Sequence, residues 1–117
     1  MKASEVKHIL GAKTLCGDAL LDTVEVDSAF GADMMSDVLA YVQPTTLILT
    51  GMVNLHVIRT AEMLDSRCVV FVRGKTVTEE VLEAARELDM IILSTDKTLF
   101  TASGLLYEAG LRGCTRE

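Results

Sequence analysis

Basic and hydroxyl side chains follow three apolar runs of the sequence, and they are the residues best suited to bind an anion. The runs TLILT, CVVFV and MIILS each lead into a polar turn. An arginine can hold a carboxylate or phosphate through two parallel hydrogen bonds, and a lysine supplies a compact positive charge. We therefore expect a site for a small anion, either a nucleotide or a phosphorylated metabolite. Its predicted residues are Thr50, Gly51, Asn54, Arg73, Gly74, Lys75, Thr76, Ser94, Thr95 and Lys97.

The first turn, GMVN at residues 51–54, leads to a predicted helix whose unpaired backbone N–H groups can hold an anion. Gly51 would let the backbone approach such a ligand closely. The turn is not a P-loop, because the later Gly-Lys-Ser/Thr is missing, so nucleotide hydrolysis is not predicted. The alternative is structural: Thr50 and Gly51 make a tight turn, and Asn54 only caps the helix.

The second turn, RGKT at residues 73–76, is the most electropositive of the three. Gly74 allows a bend between Arg73 and Lys75, so that both can reach one ligand. The alternative is that both cations are solvated or pair with nearby carboxylates. In the third turn we expect Asp96, or Thr95 or Ser94 in its place, to cap the last helix.

Other groups of titratable residues do not complete a catalytic or metal site. His56, Arg59 and Glu62 share a helix face, but no nucleophile accompanies them, and a salt-bridged surface explains them better. Asp33 and Asp37 offer too few oxygen atoms for calcium, and the helix dipole explains carboxylates early in a helix. We therefore predict no cofactor and no metal. Acyl or phosphoryl transfer is also disfavoured, so the chain is not expected to be an enzyme.

The second half of the chain alternates strand, turn and helix, a pattern that predicts a parallel sheet. The carboxyl ends of parallel strands share one edge, so all three turns should meet there. The predicted strands are residues 47–50, 69–72 and 90–93. Three helices are expected in this half. The first covers residues 55–64, the second begins with a capping box formed by Thr76 and Glu79, and the third covers residues 98–109.

The first half is less regular. A helix is predicted at residues 3–10, with Gly11 as its C-cap, and another at residues 33–41, which the Gln43-Pro44 pair stops. Between them, KTLC and TVEV are each predicted to form a short strand. The tail LRGCTRE is expected to fray.

The composition of the 117 residues fits one domain over residues 1–117, with a core that needs no disulfide. No apolar run approaches a membrane span, and the charged N-terminus has no apolar signal core, so we expect a cytoplasmic protein. Three cysteines without paired spacing are expected to be reduced thiols. A net charge of -6 and 4% aromatic residues argue against a nucleic-acid surface.

Three motifs carry a resemblance to a known family: the helix FGADMMSDVLAYV, the LILTG strand and turn, and the ST turn before the last helix. Together they resemble a DRTGG domain, and the similarity covers nearly the whole chain. Thr50 and Gly51 match the Thr-Gly of the family signature. Met52 stands at its second glycine, and Gln43-Pro44 lies about where its Asp-Arg pair would be.

The resemblance implies an α/β fold, frequent self-association and a regulatory role without catalysis of its own. Domains of this family accompany CBS pairs in some inorganic pyrophosphatases and occur within some phosphotransacetylases. A chain this apolar is also expected to need a partner for part of its surface, and a two-fold homodimer is the commonest solution. Flexible methionines suit such contacts. The expected interface residues are Met34, Met35, Tyr41, Met52 and Met63.

The sequence therefore predicts an α/β fold: one three-layer domain with a central, mostly parallel sheet flanked by helices. Its predicted function is that of a non-catalytic regulatory or ligand-sensing module that binds a small anion. The alternative is a protein-protein interaction or dimerisation module without a small ligand. The expected partners are the anion, a second copy of the chain or another protein, and neither nucleic acid nor a membrane.

Overall fold

Apolar strands and amphipathic helices alternate along the chain and build a sheet with helices on both faces. The computed structural model describes residues 1–114. The elements, in chain order, are α1 (Ala3–Leu10), β1 (Lys13–Cys16), β2 (Ser28–Gly31), α2 (Met35–Tyr41), β3 (Thr46–Thr50), α3 (Leu55–Met63), β4 (Cys68–Phe71), α4 (Glu79–Glu87), β5 (Ile91–Ser94), α5 (Leu99–Glu108) and β6 (Arg112–Gly113). A short 3₁₀ helix at Asp18–Leu20 follows β1.

The strands form one sheet in the order β1-β5-β4-β3-β2-β6. Within residues 1–114, only β1 runs antiparallel to its neighbour in the sheet, and the other strand pairings are parallel. Helices α2, α3 and α4 each connect neighbouring strands, so β2 to β5 follow one another across the sheet. Helix α5 then returns the chain to the far edge, where β6 pairs with β2. The predicted α/β fold with a mostly parallel, helix-flanked sheet is confirmed.

The core consists of two apolar layers, one on each face of the sheet. Leu49 and Val70 point towards α1 and α5, whereas the preceding residues Ile48 and Val69 point towards α2, α3 and α4. This alternation follows from the two-residue period of a strand. Every residue of β3 and β4 is buried, as expected for parallel strands covered on both faces. Burying each large side chain contributes roughly 1.5–3 kcal/mol to stability.

Cys68 is one of the cysteines of this core. Its side chain is fully buried at the start of β4, and burial raises the pKa of its thiol to about 12. Cys16, Cys68 and Cys114 are all free thiols.

Among the helices of residues 1–114, none combines the length and apolarity needed to cross a bilayer.

The second predicted strand of the N-terminal half is misplaced. Residues 23–26, TVEV, do not join the sheet, and Glu25 forms only an isolated bridge with Lys2. The backbone of Val26 instead donates a hydrogen bond to Met1. The strand that joins the sheet is Ser28–Gly31, which pairs with β3. KTLC does form β1, as predicted.

One predicted helix start and two predicted helix caps are also wrong. Helix α2 begins at Met35 with Met34 as N-cap, two residues later than expected, because the Asp33 carboxylate bonds to another segment. Helix α4 has Thr78 as its N-cap, so Thr76 lies outside the helix and forms no capping box.

Helix α5 follows Thr98, so Ser94, Thr95 and Asp96 do not cap it. In the tail expected to fray, Arg112–Gly113 forms β6. Residues 115–117 lie outside the described part of the chain, and the assignment of residues 1–117 to one domain stays a prediction.

Candidate functional site

The three predicted turns meet at one edge of the sheet. Thr50 pairs with Phe71, and Phe71 pairs with Ser94, so β3, β4 and β5 end at the same level. The segments at and after the carboxyl ends of these strands, residues 50–54, 73–76 and 94–97, therefore lie side by side. We call these segments, together with Asp33, the carboxyl edge.

Asp33 is the side chain that links the first two turns. Its Oδ1 accepts a hydrogen bond from the Gly51 N–H at 2.7 Å, and the Thr50 hydroxyl donates to the same oxygen at 3.4 Å. Its Oδ2 lies 3.6 Å from Nη2 of Arg73. One carboxylate is therefore surrounded by a backbone amide, a hydroxyl and a guanidinium. Asp33 was predicted to lie in a helix, and this role was not predicted.

Gly51 makes room for this arrangement. A Cβ atom at position 51 would overlap the guanidinium of Arg73. The absence of a side chain lets Arg73 lie across the turn and reach Asp33. The close approach predicted at Gly51 was that of a ligand, and the group that approaches it in this structure is the protein's own arginine.

The backbone conformation of the second turn places the Arg73 side chain beside Gly51 and Asp33. Arg73 and Gly74 both have left-handed conformations, with φ of 69° and 60°, and the arginine conformation is uncommon for a residue with a side chain. Two hydrogen bonds hold them: Arg73 N–H donates to Lys97 and Gly74 N–H to Thr95, each at 2.9 Å. Gly74 is also close to Asp96, whose Oδ1 lies 2.7 Å from the position of an added Cβ. The second and third turns therefore form one connected unit.

The three predicted cations have different surroundings. Arg73 pairs with Asp33, as the alternative of a nearby carboxylate partner proposed. Lys97 points towards the end of α1, with its Nζ 3.7 Å from the position of a Cβ added to Gly11, where the negative end of the helix dipole favours a cation. Lys75 is exposed, and within residues 1–114 its amino group has neither an ion pair nor a hydrogen bond. Lys75 is thus the cation most open to a ligand.

Several of the predicted hydroxyl and amide groups have structural partners. The buried Thr50 hydroxyl accepts a hydrogen bond from Met52 N–H at 3.1 Å. The buried Thr95 hydroxyl donates to the Leu10 carbonyl at 2.9 Å. Asn54 Oδ1 accepts from Val57 N–H at 3.2 Å, so its prediction as the N-cap of α3 is confirmed. These groups shape the edge whether or not a ligand binds there.

The predicted interface residues are divided between surface and core. Met34 and Met63 are 65% and 72% exposed, and Met52 and Tyr41 are also exposed, Tyr41 with its ring stacked on Phe30. Met35 is only 7% exposed and packs in the core under α2, so its assignment to an interface is wrong. Helical periodicity identified the apolar positions of this helix but not which adjacent methionine faces inward.

A cleft of about 240 Å³ lies between β2, β6 and α5 and was not predicted. Phe30, Leu106, Tyr107 and Arg112 contribute to its lining. The guanidinium of Arg112 lies over the Tyr107 ring, 4.2 Å from its centroid. The cleft is found where the strand order reverses, and a reversal of this kind cannot be located before the strand order is known.

Residues 5–109 match the family model described as a DRTGG domain. The fold is similar to the CBS and DRTGG domains of the regulatory region of Clostridium perfringens pyrophosphatase, in a crystal structure with the activator diadenosine tetraphosphate. That similarity has a TM-score of 0.68 at 15% identity, over 90% of this chain and 45% of that one. No curated protein matches the chain.

Proposed function

The chain belongs to the DRTGG domain family, and on that premise we propose that it is a non-catalytic regulatory module that senses a small anionic ligand at its carboxyl edge. The observation that carries the proposal is the convergence of the Gly51 amide, the Thr50 hydroxyl and the Arg73 guanidinium on one carboxylate. A backbone amide beside an arginine is the chemistry that holds carboxylates and phosphates. Lys75, two residues after Arg73, adds a further positive charge.

The proposed ligand is a nucleotide or another phosphorylated metabolite. Support comes from the positive charge gathered at this edge of a protein whose net charge is -6. The similar regulatory region of the clostridial pyrophosphatase was crystallised with diadenosine tetraphosphate, a polyphosphate. That structure also contains CBS domains, so we use the similarity only to choose which ligands to test. The cytoplasmic location stays a prediction.

A thermal-shift screen would test the proposal. The purified protein would be heated with nucleotides, dinucleoside polyphosphates, acyl phosphates and inorganic phosphate. A ligand at 100 times its Kd should add about 2.7 kcal/mol to the free energy of unfolding. An Arg73→Ala/Lys75→Ala variant should keep its fold and lose the shift.

The matched control is Arg59→Ala/Arg67→Ala, which removes the same charge from exposed positions outside the carboxyl edge. It should respond to the ligand as the wild type does. If no compound raises the unfolding temperature of the wild type, the proposal is wrong. If a ligand raises that of the Arg73/Lys75 variant equally, the ligand does not bind at the carboxyl edge.

A second candidate function is self-association, favoured by the exposure of Met34 and Met63 at 65% and 72%. We propose a homodimer that uses the α2 and α3 side of the molecule. Met34→Glu and Met63→Glu should each weaken self-association in sedimentation experiments, because a charge would be buried at the contact. A wild type that stays monomeric at all concentrations would exclude the dimer.

A further inference from the structure

The carboxylate of Asp33 has the surroundings of a bound anion. The Gly51 N–H donates to it at 2.7 Å, the Thr50 hydroxyl at 3.4 Å, and the Arg73 guanidinium lies 3.6 Å away. We infer that Asp33 occupies the position of the ligand's acidic group, so that a carboxylate or phosphate ligand binds by displacing it. This inference rests on the proposed function and adds a built-in competitor to it.

The Asp33–Arg73 pair is suited to exchange. The side chains of Arg73 and Asp33 are 46% and 47% exposed, and water screens an ion pair of that exposure so that it adds little stability. Their separation of 3.6 Å also exceeds the 2.7–2.9 Å of a tight charge-assisted hydrogen bond. At Arg73 an external anion therefore competes with a weak internal contact, whereas at the Gly51 N–H it has to replace a hydrogen bond of 2.7 Å.

A phosphate has an advantage over the Asp33 carboxylate. Asp33 carries one negative charge and pairs with Arg73, whereas the amino group of Lys75 has no ion pair within residues 1–114. A phosphate dianion on Arg73 can also attract Lys75, two residues along the same turn. The site should therefore select a phosphorylated group over a simple carboxylate.

Displacement of Asp33 would act on one end of α2. Just before it, the Ala32 N–H donates to the Leu49 carbonyl at 3.1 Å and fixes the chain to β3. Just after it, the exposed Met34 is the N-cap of α2. Movement would therefore begin at Asp33 and reach the surface around Met34. In this way an anion at the carboxyl edge changes a surface proposed to contact a second copy.

The test compares Asp33→Asn with the wild type in calorimetric titrations with inorganic phosphate. The asparagine keeps the shape of the side chain but removes the charge that competes for Arg73. We expect Asp33→Asn to bind phosphate at least tenfold more tightly than the wild type. Asp37→Asn, an exposed carboxylate in α2, is the matched control and should bind as the wild type does.

A second variant tests the position itself. Asp33→Gly leaves the receptor groups without a carboxylate, so acetate should stabilise this variant saturably and leave the wild type and Asp37→Gly unchanged. In the wild type, added phosphate should accelerate amide hydrogen exchange at residues 33–36. Circular dichroism would verify the fold of each variant.

The outcomes separate this inference from the proposed function. If the wild type and Asp33→Asn bind phosphate equally, and the Arg73/Lys75 variant does not, the edge is a ligand site and Asp33 is not its competitor. If none of the proteins binds phosphate or acetate, the inference is wrong, and the nucleotide screen decides the proposed function on its own. If Asp33→Asn is the variant that binds phosphate more tightly than the wild type, and Asp37→Asn does not, both the inference and the proposed function are supported.

Discussion

The turn after β1 and the turn after β3 lie at opposite edges of the sheet, and each contains a glycine with no room for a side chain. At Gly17, where φ is 87°, a Cβ would lie 2.7 Å from the Met90 carbonyl oxygen and 2.8 Å from Cα of Ile91. At Gly51 a Cβ would meet the guanidinium of Arg73. The first glycine is crowded by the backbone of a central strand, and the second by the end of a flexible side chain.

The difference shows what each glycine is needed for. The backbone beside Gly17 cannot move without disturbing β5, so that glycine is required by the fold. The guanidinium beside Gly51 can rotate away at little cost, so that glycine is required by the position of Arg73. Two similar residues in the sequence therefore serve stability at one edge and, in our proposal, binding at the other.

The largest expected effect is that of Gly17→Ala. It combines a strained positive φ with a clash against the backbone, and each costs about 1–3 kcal/mol. Urea denaturation should show a loss of about 2–6 kcal/mol in the free energy of unfolding. A loss below about 1 kcal/mol would mean that the turn adapts and that the two glycines do not differ as described.

The buried start of β4, which β5 separates from β1, should respond to alkaline pH. Cys68 pairs with Ile91, and its pKa is about 12, compared with 9.0 for a free thiol. Between these values the unfolded chain loses the proton while the folded protein keeps it. The free energy of unfolding should therefore fall by about 1.4 kcal/mol per pH unit above pH 9.

Cys68→Ala should remove this part of the pH dependence, whereas Cys114→Ala, at a partly exposed site, should keep it. The measurement is urea denaturation at a series of alkaline pH values. An unchanged slope in Cys68→Ala would show that another group causes the alkaline loss.

Gly51→Ala should separate binding from stability. We expect a change of less than about 1 kcal/mol in the free energy of unfolding, because only the end of Arg73 has to move. Ligand affinity should fall about tenfold, because the displaced Arg73 loses its charge-assisted hydrogen bond to the ligand. Parallel urea and calorimetric titrations would measure both quantities. A large loss of stability would place Gly51 in the same class as Gly17.

Lys75→Ala should have the smallest effect. The exposed lysine has no partner within residues 1–114, so the stability should not change measurably. Ligand affinity should fall a few-fold, and the difference from the wild type should shrink in high salt as screening increases. A salt-independent difference would indicate that Lys75 contacts the ligand through more than its charge.

The fold was largely predictable because continuous apolar runs mark strands that are buried on both faces. TLILT, CVVFV and MIILS gave β3, β4 and β5, and the parallel arrangement predicted that their turns would meet. The peripheral strands were harder. SAFG in β2 is short and half-buried, and Arg112–Gly113 in β6 has only two residues, so pairing with neighbours defines them rather than any local pattern.

The candidate site was predictable only in its location. Asp33 was missed because its partners, Gly51 and Arg73, are far away in sequence, and no spacing rule connects them. The capping box at Thr76 matched the motif, yet α4 begins only after Thr78. Local patterns thus located the turns, whereas the contacts between turns depend on tertiary packing.

The pairing of β6 with β2 has a consequence for the kinetics of folding. Near this pairing the Cys114 thiol contacts the Ser28 hydroxyl, 86 residues apart in sequence. Closing so long a loop costs more conformational entropy than joining β3 to β4 or β4 to β5. We therefore expect the central strands to form first and β6 to dock last. The same strand should open first under native conditions, which the relative hydrogen exchange rates of its amides would reveal.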